Sequence, residues 1–223
     1  MPLTEEQINI LRDAITIYHF PCVYYDFENE HEVSCPIMAP VEESIRNDLI
    51  SGDNHNVKNG LSNVLYWGFA QVGFRDTRVT IFRSKVTNDQ LDEAAALFQD
   101  QNNIILSHIK NIKLPQFSGM SFVSKIAMFI NPNKYAILDK QILKMKHTPV
   151  QTLLDEISFC NSETRIRISK NNDRVYSNWC NKCKEISSLY FNGLYRTVDI
   201  ERGFFTLIQN GNVIPAAEIL SNA

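Results

Sequence analysis

Two apolar helix-forming runs meet at a proline near the middle of this chain, and that junction restricts the fold more than any other stretch. Residues 103–112 are apolar at helical spacing and run directly into Leu114-Pro115. Proline lacks the amide that would continue a helix, and it drives the preceding residue out of the helical region, so the first run must stop there. Gln116-Phe117-Ser118-Gly119 then supplies a tight turn. Gly119 to Ile130 resumes helical spacing with Phe122, Val123, Ile126, Ala127, Phe129 and Ile130 facing inward. Two short helices folded back through a glycine-containing turn are therefore expected. Pro132 ends the second one, and Tyr135-Ala136-Ile137-Leu138 leads to Asp139, placed to cap a helix running to about Lys146. Between Lys110 and Lys146 there are seven lysines, and Asp139 is the only carboxylate.

The remainder reads as helical. Thr4-Glu5-Glu6-Gln7 and Thr87-Asn88-Asp89-Gln90 are capping boxes, opening a helix to about His19 and another through Leu91, Ala94, Ala95, Leu97 and Phe98. Residues 20–40, with three prolines among apolar and acidic residues, predict an extended or irregular arm. Val41 to Ile50 and Asn56 to Val72 predict helices, the second too apolar for a surface position. Thr148 to Phe159 is read as a helix, 161–172 as a loop or small hairpin, and two helices follow, one from Asp173 and one over Val198 to Ile208. With no sustained alternation, the fold class is mainly α.

At 223 residues and 44% hydrophobic content the chain can bury a sizeable core. No window is apolar enough for a membrane span, so a soluble, cytoplasmic protein without membrane contact is expected. Charge is divided unevenly. Residues 1–100 hold 7 Lys plus Arg against 16 Asp plus Glu, while residues 101–223 hold 15 against 9. The basic part suits phosphate, and equally the two parts could attract one another. The sequence thus divides into an acidic, mostly helical part at 1–102 and a basic part at 103–223, expected to form one compact unit. Five irregularly spaced cysteines read as free thiols, with Cys180 and Cys183 as small buried hydrophobes, and five scattered histidines lack ligand spacing, so no metal site is expected.

Leu114-Pro115-x-Phe117-Ser118-Gly119, the following apolar helix and Tyr135-Ala136-Ile137-Leu138-Asp139 resemble the helix-hairpin-helix DNA glycosylase superfamily. Phe122-Val123-Ser124-Lys125, Ile137-Leu138-Asp139, Tyr176-x-x-Trp179 and Val198-Asp199-Ile200-Glu201 resemble more closely its bacterial branch with an 8-oxoguanine DNA glycosylase-like fold. The resemblance covers about Asn103 to Ile208. It implies a two-lobed helical fold, a duplex DNA partner, and hydrolysis of the N-glycosidic bond of a damaged or modified base. It implies no cofactor beyond a monovalent cation at the hairpin turn.

In such a protein the turn aims backbone amides at a DNA phosphate, a role that falls here to Gln116, Ser118, Gly119, Met120 and Ser121. The base is extruded into a pocket and a carboxylate, here Asp139, stabilises the charge that develops on the sugar. Members that also cleave the strand carry a lysine at the start of the second hairpin helix, where this chain has Met120. Lys125 lies five residues further, roughly 140° around the helix, and is carried as a second catalytic candidate with an exposed position on the Ser121 face as its plain alternative. Trp67, Tyr176, Trp179 and Phe205 are candidate pocket aromatics, and Gln209 could read a base edge. The competing expectation is a non-catalytic module that keeps the fold and binds DNA or a partner protein.

Overall fold

The computed structural model describes residues 2–159 and 165–223, and it is mainly α-helical. By contacts the chain divides into two units, one of residues Phe20–Asn131 and one joining Met1–His19 to Pro132–Ala223. The contact division thus falls at residues 19/20 and 131/132, whereas the charge changes sign near residue 102.

In the unit Phe20–Asn131 the arm after Phe20 contains a hairpin of β1 (Val23–Asp26) and β2 (His31–Ser34), antiparallel with Val23 opposite Ser34. Asp26 Oδ1 accepts the amides of Glu28 and Asn29 at 2.9 and 3.0 Å, a local bond that closes the turn. Helix α2 (Met38–Leu49) begins three residues before the predicted Val41, because Pro40 sits in the first turn, where a missing amide costs nothing. Helix α3 (Asn54–Gly68) is buried from Asn59 to Trp67 without a break, as its apolar content predicts. It crosses α2 closely at Gly60, where a Cβ would lie 2.9 Å from the Leu49 backbone nitrogen.

Helix α4 (Arg75–Lys85) is absent from the sequence expectation. It buries only Val79 and Phe82, too narrow a stripe to register as a period, and Phe74 at its start offers no capping oxygen. Helix α5 (Asn88–Phe98) begins at the expected capping box, and α6 (Leu106–Asn111) and α7 (Met120–Ile130) follow.

Asp48, on α2, is half-buried, and burial pushes its carboxyl up to about 6 with Glu28 and Asp26 adding to the rise against His55. A carboxyl raised above its unfolded value makes the folded protein bind the proton more tightly, so its effect is absent below about pH 4 and stability falls as pH rises to about 6. Asp48→Asn is expected to stabilise the protein at pH 7 by about 1 kcal/mol, after discounting for partial solvent access, and to be neutral near pH 4. Urea denaturation at the two pH values checks this.

In the other unit, α1 (Glu5–Thr16) starts at the Thr4–Gln7 capping box and ends three residues before the predicted His19. It packs on α9 (Thr197–Gln209), where Gly203 admits Leu11 and Ile15; a Cβ there would lie 2.7 Å from both side chains. Helix α8 (Lys170–Phe191) is capped by Ser169 and so opens before the predicted Asp173. Leu189 on it is exposed. A final helix, α10 (Val213–Asn222), follows the last predicted one, with Pro215 in its first turn, where it is no breaker.

The helix predicted over Thr148 to Phe159 is not formed; a single 3-10 turn occupies Leu153–Glu156. Thr152 and Asp155 bond reciprocally to each other's backbone amides, and Lys146 Nζ donates to the carbonyls of Asp155 and Ile157. Side chains thus take the backbone groups a helix would need. Cys160 and the start of the predicted 161–172 loop lie outside the described residues. Among those described, no helix is long and apolar enough to cross a membrane.

Candidate functional site

The turn between α6 and α7 is built in the unit Phe20–Asn131. Phe117 N–H donates to Leu114 O at 3.1 Å, with Pro115 at the second position and Gln116 at φ +70° in the third, the pattern of a type II turn. Glycine usually occupies such a third position, and a left-handed glutamine there carries a local cost of about 1 kcal/mol. Gln116 is held from outside the turn: Arg78 Nη1 donates to its Oε1 at 2.9 Å. Phe117 is buried edge-on to Phe82 and Phe122 at 5.6 and 6.3 Å. Gln90 Nε2 donates to the carbonyls of Ile112 and Lys113 at 3.2 and 2.9 Å, which satisfies the end of α6.

Gly119 is the N-cap of α7, and as a glycine it brings no side chain to cap the first-turn amides. Of the five backbone-binding candidates, Ser118 is exposed, Gln116 and Ser121 are half-buried, and Gly119 and Met120 are buried. Lys125 shares the Ser121 face but is buried, not exposed. Its Nζ donates to Ser121 O at 3.2 Å, it lies 5.1 Å from the Phe122 ring centroid, and its stem passes beside Gly68. The exposed position fails because α7 is buried on every side from Val123 onward.

Asp139 belongs to the other unit, at the end of an extended segment pinned by α8 and α9. Val198 N–H donates to Pro132 O at 3.1 Å and Thr197 Oγ1 to Asn133 O at 2.7 Å. Tyr176 Oη donates to Ala136 O and Trp179 Nε1 to Ile137 O, both at 3.0 Å, and Ala136 N–H meets Cys180 Sγ at 3.4 Å. Burial pushes the Cys180 thiol up to about 12 and raises Tyr176 and Cys183 as well, so these groups stay neutral. Asp139 is half-buried, and its Oδ1 accepts the amides of Gln141 and Ile142 at 2.9 and 3.2 Å. It caps a 3-10 helix, Ile142–His147, in place of the α-helix predicted to Lys146. Among the described residues Oδ2 takes no hydrogen bond.

The aromatic candidates divide between core and surface. Tyr176 and Trp179 are buried and spend their polar atoms on the backbone before Asp139, so they position that residue and offer no open stacking face. Trp67 lies in the other unit's core, 4.6 Å from Phe20 and 5.2 Å from Phe129 between ring centroids. Phe205 is half-buried, edge-on to Tyr18 at 6.2 Å, and Gln209 is exposed at the end of α9. One residue without a signal in the sequence is Gln141, whose buried Oε1 finds no hydrogen-bond partner among the described residues.

Comparison with protein-family models, with curated proteins and with solved structures returned no match.

Proposed function

We propose that the chain is a DNA glycosylase-like protein of two-lobed, helix-hairpin-helix form that grips duplex backbone through the 114–121 turn and hydrolyses the N-glycosidic bond of a damaged or modified base. The observation that carries the reading is the state of Asp139. One carboxylate oxygen is fixed by two amides, and the other takes no hydrogen bond among the described residues, at the end of a segment pinned by Tyr176 and Trp179. A carboxylate so fixed can stabilise an oxocarbenium-like sugar or take a proton from the attacking water. The start of α7, with a glycine at its N-cap, supports the backbone contact, since helix-start amides and the dipole favour an anion, with a monovalent cation as the accessory group at the turn carbonyls. Lys125, whose ammonium is bonded to its own helix, is left as a supporting residue, so strand cleavage is not part of the proposal.

A second reading, a non-catalytic DNA-binding or protein-interaction module, is favoured by the burial of Gly119 and Met120 and by the core positions of Trp67, Tyr176 and Trp179. Fluorescence anisotropy with a short labelled duplex separates the two from a protein that does not bind DNA. Affinity is expected to fall steeply with salt, Ser118→Glu is expected to weaken it about tenfold, and Asp139→Asn to leave it intact. No affinity at low salt would instead select a protein partner.

A further inference from the structure

Apart from the turn and Asp139, the unit Phe20–Asn131 holds a cavity of about 390 Å³. Its walls include Tyr25 of β1, Phe27 just beyond it, Tyr66 of α3, and Arg75, Val79 and Arg83, which recur every fourth residue and so share one face of α4. The rings touch: Tyr25 lies 4.9 Å from Phe27 and 5.4 Å from Tyr66 between centroids. Each arginine lies over one of them, Arg75 at 3.9 Å from the Tyr66 centroid and Arg83 at 4.1 Å from that of Phe27. A guanidinium stacked in this way keeps its N–H donors available for an in-plane partner.

The two arginines differ in what neutralises them. Arg75 Nη1 donates to Glu32 Oε2 at 2.9 Å, an oxygen that also accepts from the Tyr66 hydroxyl at 2.7 Å. Arg83 donates through Nη1 to Asn59 Oδ1 at 2.9 Å and Ser62 Oγ at 3.1 Å, both neutral, and no carboxylate among the described residues lies within ion-pair distance of it. Glu28 acts on it only through space, being bonded to His55 and Asn59. Arg83 is half-buried and cannot shed its charge, so a cation without a direct counter-ion stands in an aromatic wall. Its remaining Nε and Nη2 donors form the fork that matches two oxygens of a phosphate or carboxylate.

We propose that this cavity binds an oxyanion of mononucleotide size that carries a planar ring, its charged oxygens on the Arg83 fork and its ring among Tyr25, Phe27 and Tyr66. The volume falls within the ~300–1,000 Å³ of small-molecule sites, far more than a bare inorganic anion fills. The inference stands apart from the glycosylase reading, since it uses none of the residues assigned there.

Isothermal titration of the full chain with AMP, CMP, adenosine, inorganic phosphate and a hexanucleotide with or without a 5′-phosphate tests it. A nucleoside monophosphate is expected to bind about tenfold or more tightly than adenosine or phosphate, and Arg83→Gln, Arg83→Lys and Phe27→Leu each to weaken it about tenfold. Lys85→Ala, exposed on the same helix, is expected to change nothing. Equal binding of the phosphorylated hexanucleotide assigns the ligand to a strand end, and its absence assigns a free nucleotide. Thermal melting confirms that each variant is folded, and Phe27→Leu carries the test if both arginine variants are not. No binding of either monophosphate at about 1 mM, phosphate binding as tightly as AMP, or folded variants that bind like the parent would each overturn the proposal.

Discussion

Asp139→Asn is expected to slow base release by about 10²–10³-fold while leaving the protein folded. The asparagine carbonyl oxygen can still accept from the Gln141 and Ile142 amides, so the cap that Asp139 Oδ1 makes at 2.9 and 3.2 Å survives the change. What is lost is the negative charge on Oδ2, the group proposed to face the reacting sugar. Asp139→Ala removes the cap as well and is expected to cost about 1 kcal/mol of stability in addition. Single-turnover release rates measured beside urea denaturation separate the two contributions. A rate lost together with several kcal/mol of stability in the asparagine variant would mean that Asp139 serves the fold alone.

Trp179→Ala is expected to destabilise the protein by about 3–5 kcal/mol. The ring is fully buried, lies 5.5 Å from Phe204 between centroids, and donates to Ile137 O at 3.0 Å. Truncation leaves a cavity and strands a buried carbonyl two residues before Asp139. Trp179→Phe keeps most of the volume and loses only the hydrogen bond, a cost of about 1–3 kcal/mol. If the indole positions Asp139, the phenylalanine variant also releases base more slowly at unchanged DNA affinity. Chemical denaturation checks the first effect, and a KM-against-kcat comparison checks the second.

The helical class, both capping boxes, the central position of α3 and the break at Leu114-Pro115 were legible because each rests on a local rule carried by residues adjacent in sequence. The errors share a different cause. Helix α4 has only Val79 and Phe82 inward, and its other residues answer to partners elsewhere, Arg75 to Glu32 and Arg83 to Asn59 and Ser62. The false helix at Thr148 to Phe159 had the right apolar content, but Lys146 takes the carbonyls of Asp155 and Ile157. At the candidate site, the sequence identified Asp139 as a cap. It does not reveal that the candidate pocket aromatics Tyr176 and Trp179 hold the segment leading to it, because those bonds span 40 and 42 residues. Gln116 shows a third kind of gap: the turn keeps a glycine-like conformation without a glycine, with Arg78 securing the side chain.

Base release from a panel of duplexes, each carrying one damaged or modified base, tests the central assignment most directly. The parent protein is expected to free a base from at least one of them and leave an abasic site on an intact strand, with Asp139→Asn inactive on the same duplex at unchanged affinity. Binding to every duplex without release of any base, or release that Asp139→Asn leaves undiminished, would contradict it.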